Sequence, residues 1–328
     1  MYKPSFVKKI FIAAALIPIM FQCHAQRRPV MPRFLKEGDS IAVVAVSSKL
    51  DDSTAHCIGL CKMMERWGLN IRYGEHLFDT TGNWFPAPDS VRAADLQTML
   101  DDPDIRAVIF FRGGYGAART IPYLRLEALS EDPKWLVGFS DVTVMLYAAL
   151  SAGVQAIHGT MPLDFGDQPF SFESLHHALF GSLHGYDIPP DTLDIPGEAT
   201  APLVGGNLTL VASVMGTSID FDYSQPYILF LEDVDEPIYS TDRRMQTLKQ
   251  SGRLDRCKGM IIGAFKRNSD EGEWGCSTYR LLHDYAAELG IPIIFGLPAG
   301  HIDRNCSLFM GRMTQMKVDA AGGHITWN

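Results

Sequence analysis

Three residues placed at the ends of apolar runs set the chemistry open to this chain. A serine stands in Trp135-Leu136-Val137-Gly138-Phe139-Ser140-Asp141-Val142, where a short apolar run ends at Gly138 and an apolar helical pattern begins after Asp141. A hydroxyl at such a strand-to-helix turn points away from the sheet, beside the N–H groups of the next helix, which is the logic of a nucleophile elbow. Ser and Asp are also preferred helix N-caps, so on the turn alone a plain cap is the better-fitting reading. Glu232 closes the apolar strand Tyr227-Ile228-Leu229-Phe230-Leu231, where a carboxylate can orient a histidine. Asp235 and Glu236, just beyond it, fit a solvated acidic loop better. His301 follows Pro298-Ala299-Gly300 on a loop, with Asp303-Arg304-Asn305 as polar neighbours. A hydroxyl, an imidazole and a carboxylate are the parts of a nucleophilic triad. His158, at the end of its own strand, is the rival base, and Ser47 and Ser48 are rival ligand-binding hydroxyls.

The glycines of Arg112-Gly113-Gly114-Tyr115-Gly116 follow another apolar strand. They permit close approach of a ligand to the backbone. Gly116 is followed by Ala117-Ala118-Arg119, which breaks the G-x-G-x-x-G pattern, and there is no Walker lysine, so a dinucleotide or nucleotide cofactor is not expected. An oxyanion hole is the better use, with one N–H from Gly114 and one from Asp141. A tight turn is the bland alternative.

The elements that must position these groups read as follows. Residues 41–46, 107–111, 136–137 and 154–157 are strands, alternating with helical patterns over 53–67, 88–101, from about Ala117, and over 142–152. This is an α/β layer structure with a parallel sheet, in which reactive groups gather at the carboxyl ends of the strands. From Asp164 to Ala199 the pattern is punctuated by Pro169, Pro189, Pro190 and Pro196, which predicts a linker with a short helix at 172–181. The second half reads as strands at 202–204, 227–231, 259–265, 292–295, 313–318 and 324–327, with helices at 207–215, 241–251 and 277–289. The expected domains are therefore residues 34–163, carrying the serine, and 200–328, carrying the glutamate and histidine, joined by 164–199.

The chain has 328 residues, a formal charge of −9 and six cysteines. Lys3, Lys8 and Lys9 precede an apolar run from Ile10 to Phe21 that is short for a bilayer span, and Cys23-His24-Ala25 offers small residues for cleavage. Residues 1–25 thus predict a signal peptide cut after Ala25 and an exported, periplasmic product. A lipoprotein acylated at Cys23 fits less well, because Gln22 occupies a position that needs a small residue. Loss of the leader takes the charge to −12, a poor match for nucleic acid or anionic lipid. Cys57 and Cys61 lie one helical turn apart, and no CxxC or HExxH spacing occurs, so no metal is expected.

Taken in order, Arg112-Gly113-Gly114-Tyr115-Gly116, Gly138-Phe139-Ser140-Asp141, Gly205-Gly206-Asn207-Leu208, Leu229-Phe230-Leu231-Glu232-Asp233-Val234 and Gly300-His301 resemble the LD-carboxypeptidases over residues 34–320. The resemblance implies a flavodoxin-like N-terminal domain, a C-terminal domain of mixed strands and helices, and often a homodimer. It implies Ser140 as nucleophile, His301 as general base and Glu232 as its orienting carboxylate, acting on a murein tetrapeptide to release terminal D-alanine. Related readings are an amidase acting on a peptide–nucleotide antibiotic, for which Trp274 would be the aromatic platform, and a muropeptide-binding protein without turnover. A carboxypeptidase must hold a terminal carboxylate, and guanidinium does so bidentately. Arg243, Arg244 and Arg112 are the candidates, with Asn207 as a further substrate-binding residue. Leu308-Phe309-Met310-Gly311 departs from the Leu-Pro-x-Gly common in the family at that point.

Overall fold

Ile41-Ala42-Val43-Val44 has no polar face, and it forms a strand covered on both sides, β1 (Ser40–Val44). The chain continues through α1 (Thr54–Lys62), β2 (Asn70–Tyr73), α2 (Asp89–Asp101), β3 (Ile105–Phe110), α3 (Glu127–Glu131), β4 (Trp135–Gly138), α4 (Thr143–Ser151) and β5 (Ala156–His158). The computed structural model describes residues 28–50, 53–80, 82–165 and 169–327, so the expected leader at 1–25 lies outside the described residues. Strands β2, β1, β3, β4 and β5 lie side by side in that order, each neighbouring pair parallel. This is the flavodoxin order, whose ligands bind outside the carboxyl ends of the strands where the order reverses, between β1 and β3. The far edge is closed by an antiparallel strand from much later in the chain, Leu308–Met310, paired with β5.

Several elements differ from the sequence reading. β2 was not expected, being half-exposed and only four residues long. The helix expected from Ala117 is instead two short turns, Ala117–Arg119 and Ile121–Tyr123. Pro122 supplies no amide donor there, and the glycine loop before it fixes the chain path. The stretch 164–199, read as a linker, carries α5 (Pro169–Leu179), β6 (Gly185–Ile188) and the start of β7 (Gly197–Asn207).

The second half adds α6 (Leu208–Ser213), β8 (Tyr227–Val234), α7 (Ile238–Gln250), β9 (Cys257–Lys266), α8 (Glu271–Trp274), α9 (Thr278–Leu289), β10 (Ile293–Ile294), β11 (Leu308–Met310), β12 (Met313–Asp319) and β13 (Gly322–Thr326). Its sheet runs β10-β9-β8-β7-β12-β13-β6. The first four strands are parallel and the rest antiparallel, a mixed α/β domain. β7 serves both regimes: residues 203–207 pair with β8, while 197–202 pair with β12. The same strand joins the two sheets. Gly206 has φ +133°, and a Cβ there would come within 2.8 Å of Thr143 Cγ2 on α4. Asn207 N–H donates to Thr143 Oγ1 at 3.2 Å. Because Asn207 pairs with Glu232 across β7 and β8, this contact brings Glu232 alongside the helix that follows Ser140.

Candidate active site

Ser140 has φ +61°, in the left-handed region that a non-glycine residue rarely occupies. Such a conformation costs about 1–3 kcal/mol and persists where the surroundings enforce it. The flanking glycines do so. A Cβ on Gly138 would come within 2.6 Å of Val142, and one on Gly113 within 3.0 Å of the Ser140 hydroxyl itself. Neither Ser140 nor Asp141 caps α4: its N-cap is Val142, with no side-chain bond. The plain-cap reading of this turn is therefore corrected.

His301 Nε2 lies 2.9 Å from Ser140 Oγ, and His301 Nδ1 lies 2.7 Å from Glu232 Oε2. The Glu232 side chain is fully buried, whereas that of His301 is 20% exposed and faces a cleft. Glu232 is held close by the backbone of Gly300, φ +111°, where a Cβ would sit 2.6 Å from Glu232 Oε2. Burial opposes a charge on His301, but the hydrogen bond to Glu232 and the negative charges of Glu232, Asp233 and Asp164 outweigh it. Its pKa is therefore raised above the ordinary imidazole value. In this arrangement Nε2 can take the hydroxyl proton while the carboxylate fixes the Nδ1–H tautomer.

His158 is not in reach of this chemistry. It is fully buried, edge-on to Phe230 at 4.9 Å and to Phe139 at 5.9 Å, and burial pulls its pKa down to about 4. Phe139 also packs edge-on against His301, ring centroids 5.0 Å apart.

The glycine loop and the elbow touch through Gly113, and Gly114 (φ +112°) lies against Ser48, where a Cβ would come within 2.3 Å of Oγ. The Ser48 hydroxyl accepts from Tyr115 N–H at 3.2 Å. Asp141, expected through its N–H, also works through its carboxylate. Oδ2 accepts from Ser47 Oγ at 2.6 Å and Ala117 N–H at 2.8 Å, tying the ends of β1, β3 and β4 together. Burial raises the Asp141 pKa against these bonds and the charge of Arg92. Arg92 on α2 is a buried strut that pattern reading missed: it donates to the Val46 and Gly116 carbonyls and to Asp89. Its signal in the sequence was an arginine on the apolar face of a helix.

The cleft beside His301 holds about 400 Å³ and is lined by Phe139, Thr160, Leu163, Asp164, Asp303 and Asn305 among others. Arg112 lines a separate pocket with Ser48, Lys49, Asn83 and Trp84. Its Nη1 donates to Lys49 O at 2.9 Å, and its charge lowers the pKa of Asp164 against the raising effect of burial. The other binding candidates are placed differently. Asn207 is buried, caps α6 by accepting from Leu210 N–H, and donates to Asp233 Oδ1 at 2.9 Å. Arg244 spends its fork on Glu236, with both N···O distances 2.9 Å. Arg243 is exposed and lies over the Tyr239 ring at 5.2 Å. Asp233 is enclosed beside Glu232, and burial with that neighbouring charge pushes its pKa up to about 6.

Residues 41–159 match the LD-carboxypeptidase N-terminal domain, and residues 200–316 match the LD-carboxypeptidase C-terminal domain. A putative carboxypeptidase of Synechocystis is 31% identical, covering 89% of this chain and 95% of that protein. The probable murein peptide carboxypeptidase of Bacillus subtilis is 30% identical, covering 88% and 91%. Among solved structures, muramoyltetrapeptide carboxypeptidase from Oxalobacter formigenes superposes with a TM-score of 0.79 at 26% identity, covering 88% of this chain and 98% of that one. The microcin C7 self-immunity protein, solved with aspartyl sulfamoyl adenosine, superposes at 0.81 with 20% identity, covering 92% and 99%, a likeness of fold.

Proposed function

The chain belongs to the LD-carboxypeptidase family of serine-type carboxypeptidases, and from that premise we propose that it releases the terminal D-alanine of murein tetrapeptides through an acyl-enzyme on Ser140. The observation that carries this reading is the unbroken line Ser140 Oγ–His301–Glu232, at 2.9 and 2.7 Å, built on a left-handed serine. His301 takes the Ser140 proton as the oxygen attacks the last peptide carbonyl. Glu232 stabilises the imidazolium, and the N–H groups of Gly114 and Asp141 receive the oxyanion, each worth about 3 kcal/mol in the transition state. His301 then protonates the leaving amine, and water clears the acyl-enzyme by the same route reversed. Base catalysis of this kind contributes about 100- to 10,000-fold.

Arg112, beside the glycine loop and near enough to Asp164 of the cleft to act on its charge, is the residue we assign to the terminal carboxylate. We further propose export and action in the periplasm, on the strength of the lysine-flanked apolar run before Ala25. A panel of stem peptides tests the reading. Cleavage of the tetrapeptide ending in D-alanine is expected, with loss of activity when that carboxyl is amidated, and with activity persisting in EDTA. Cleavage of an aspartyl sulfamoyl nucleoside in preference to every stem peptide would contradict it. That second reading has the fold likeness to the immunity protein behind it, and Trp274, 44% exposed at the end of α8, as its aromatic surface.

A further inference from the structure

His301 lies on the loop between β10 and β11, outside any helix or strand, yet its ring must hold two hydrogen bonds at once. We propose that Ser171 and Asn305 are positioning residues for His301, clamping its loop so that Nε2 stays on Ser140 and Nδ1 on Glu232. This rests on His301 acting as the base, as proposed above.

One buried hydroxyl serves the loop twice. Ser171 Oγ, on the first turn of α5, donates to Asp303 O at 2.8 Å and accepts from Asn305 N–H at 2.8 Å. The Asn305 side chain then reaches back to the residue before the histidine, its Oδ1 accepting from Gly300 N–H at 2.9 Å. Gly300 is the residue whose backbone packs on Glu232, so the chain of contacts runs from α5 through Asn305 to the residue that precedes His301 and lies against its carboxylate partner. Ser171 and Asn305 are 2% and 3% exposed, so water does not replace a lost bond there without reorganisation. One turn further along α5, Ser174 makes a parallel set of bonds. It accepts from Ser307 N–H at 2.8 Å and pairs with Tyr186 OH at 2.7 Å. That set anchors the root of β11 and lies two residues further from the histidine, which makes Ser174 the internal control for burial and hydroxyl loss alone.

The test reads His301 directly. The groups that act on its charge are Glu232, Asp233 and Asp235 at the end of β8, Asp164 after β5 and His158 on β5; its own loop carries Asp303, which lines the same cleft, and Arg304, which lies over the Phe170 ring. None is altered by Ser171→Ala. Histidine-selective NMR titration of the purified protein gives the His301 midpoint, and a fluorophosphonate probe gives the rate of Ser140 labelling. With Ser171→Ala the midpoint is expected to fall toward the ordinary imidazole value as the Glu232 bond loosens, and labelling to slow by about 10- to 100-fold. Ser171→Thr, which keeps the hydroxyl, restores both. Asn305→Ala reproduces both effects by a second route and stands in if Ser171→Ala fails to fold. Ser174→Ala lowers Tm and leaves midpoint and labelling near the parent values. The proposal is overturned if Ser171→Ala and Asn305→Ala lose Tm but titrate and label as the parent does, or if Ser174→Ala loses labelling as much as they do. A parent that titrates with a raised midpoint but is not labelled removes the nucleophile assignment, and the titration alone then decides the clamp.

Discussion

At the scale of single residues, the account turns on how Glu232 and His301 share a proton. The hydrogen bond to Glu232 and the negative charges around it raise the His301 pKa against the lowering effect of burial, and a base must be neutral to act. The acid limb of kcat/KM is therefore expected above the ordinary imidazole pKa, with activity lost as pH falls through it. Glu232→Gln should move that limb to lower pH while cutting kcat by about 1,000- to 10,000-fold, because the tautomer and the imidazolium both lose their partner. A limb that stays in place in the pH–rate profile of that variant would assign it to another group. That Ser140, His301 and Glu232 come together was legible in the sequence, because each closes an apolar run or follows a proline–glycine turn. Asp141 was legible only in part: its N–H follows from its position in the turn, but its carboxylate strut to Ser47 and Ala117 depends on residues 94 and 24 positions away. Arg244 pairs with Glu236, eight positions earlier, a partner that the sequence reading did not name.

At the scale of elements, one strand carries the alignment of the site. β7 meets α4 at Gly206 and Thr143, and its pairing with β8 sets where Glu232 stands relative to Ser140. Gly206→Ala puts a Cβ 2.8 Å from Thr143 Cγ2 at a φ of +133°. It should destabilise by about 1–3 kcal/mol and lower kcat with little change in KM, as a thermal melt and steady-state kinetics would show. Unchanged kinetics in a destabilised protein would mean that the two sheets are aligned elsewhere. The long buried strands were plain from composition, since β1, β3, β4 and β8 are apolar on both faces. The elements that were missed share a different character. β2 and β6 are half-exposed edge strands, and β11 is three residues paired with β5 from 150 positions later, whereas α5 answers the short helix expected at 172–181, beginning three residues earlier. Local pattern carries little of that information, because long-range pairing rather than propensity decides it.

At the scale of the whole molecule, the cleft lies where two sheets meet, and groups buried there tie activity to stability. His158, enclosed between Phe139 and Phe230, has its pKa held at about 4 against an ordinary 6.5. The unfolded chain binds this proton more readily, so the stability is present above pH 6.5 and lost as pH falls toward 4, by about 3 kcal/mol in all. Asp233 works in the opposite sense, disfavouring the fold as pH rises from the ordinary carboxylate range to about 6. In His158→Phe the fall in denaturation free energy between pH 6.5 and pH 4 should be shallower than in the parent. Equal slopes would show that His158 charges in the folded state. The central claim concerns chemistry, and its most direct test is mass spectrometry of a murein tetrapeptide incubated with the protein and, in parallel, with Ser140→Ala. Loss of one alanine with the parent and none with the variant is the predicted result. Equal loss of alanine with both would contradict the assignment of Ser140, and an intact peptide with both would contradict the proposed reaction.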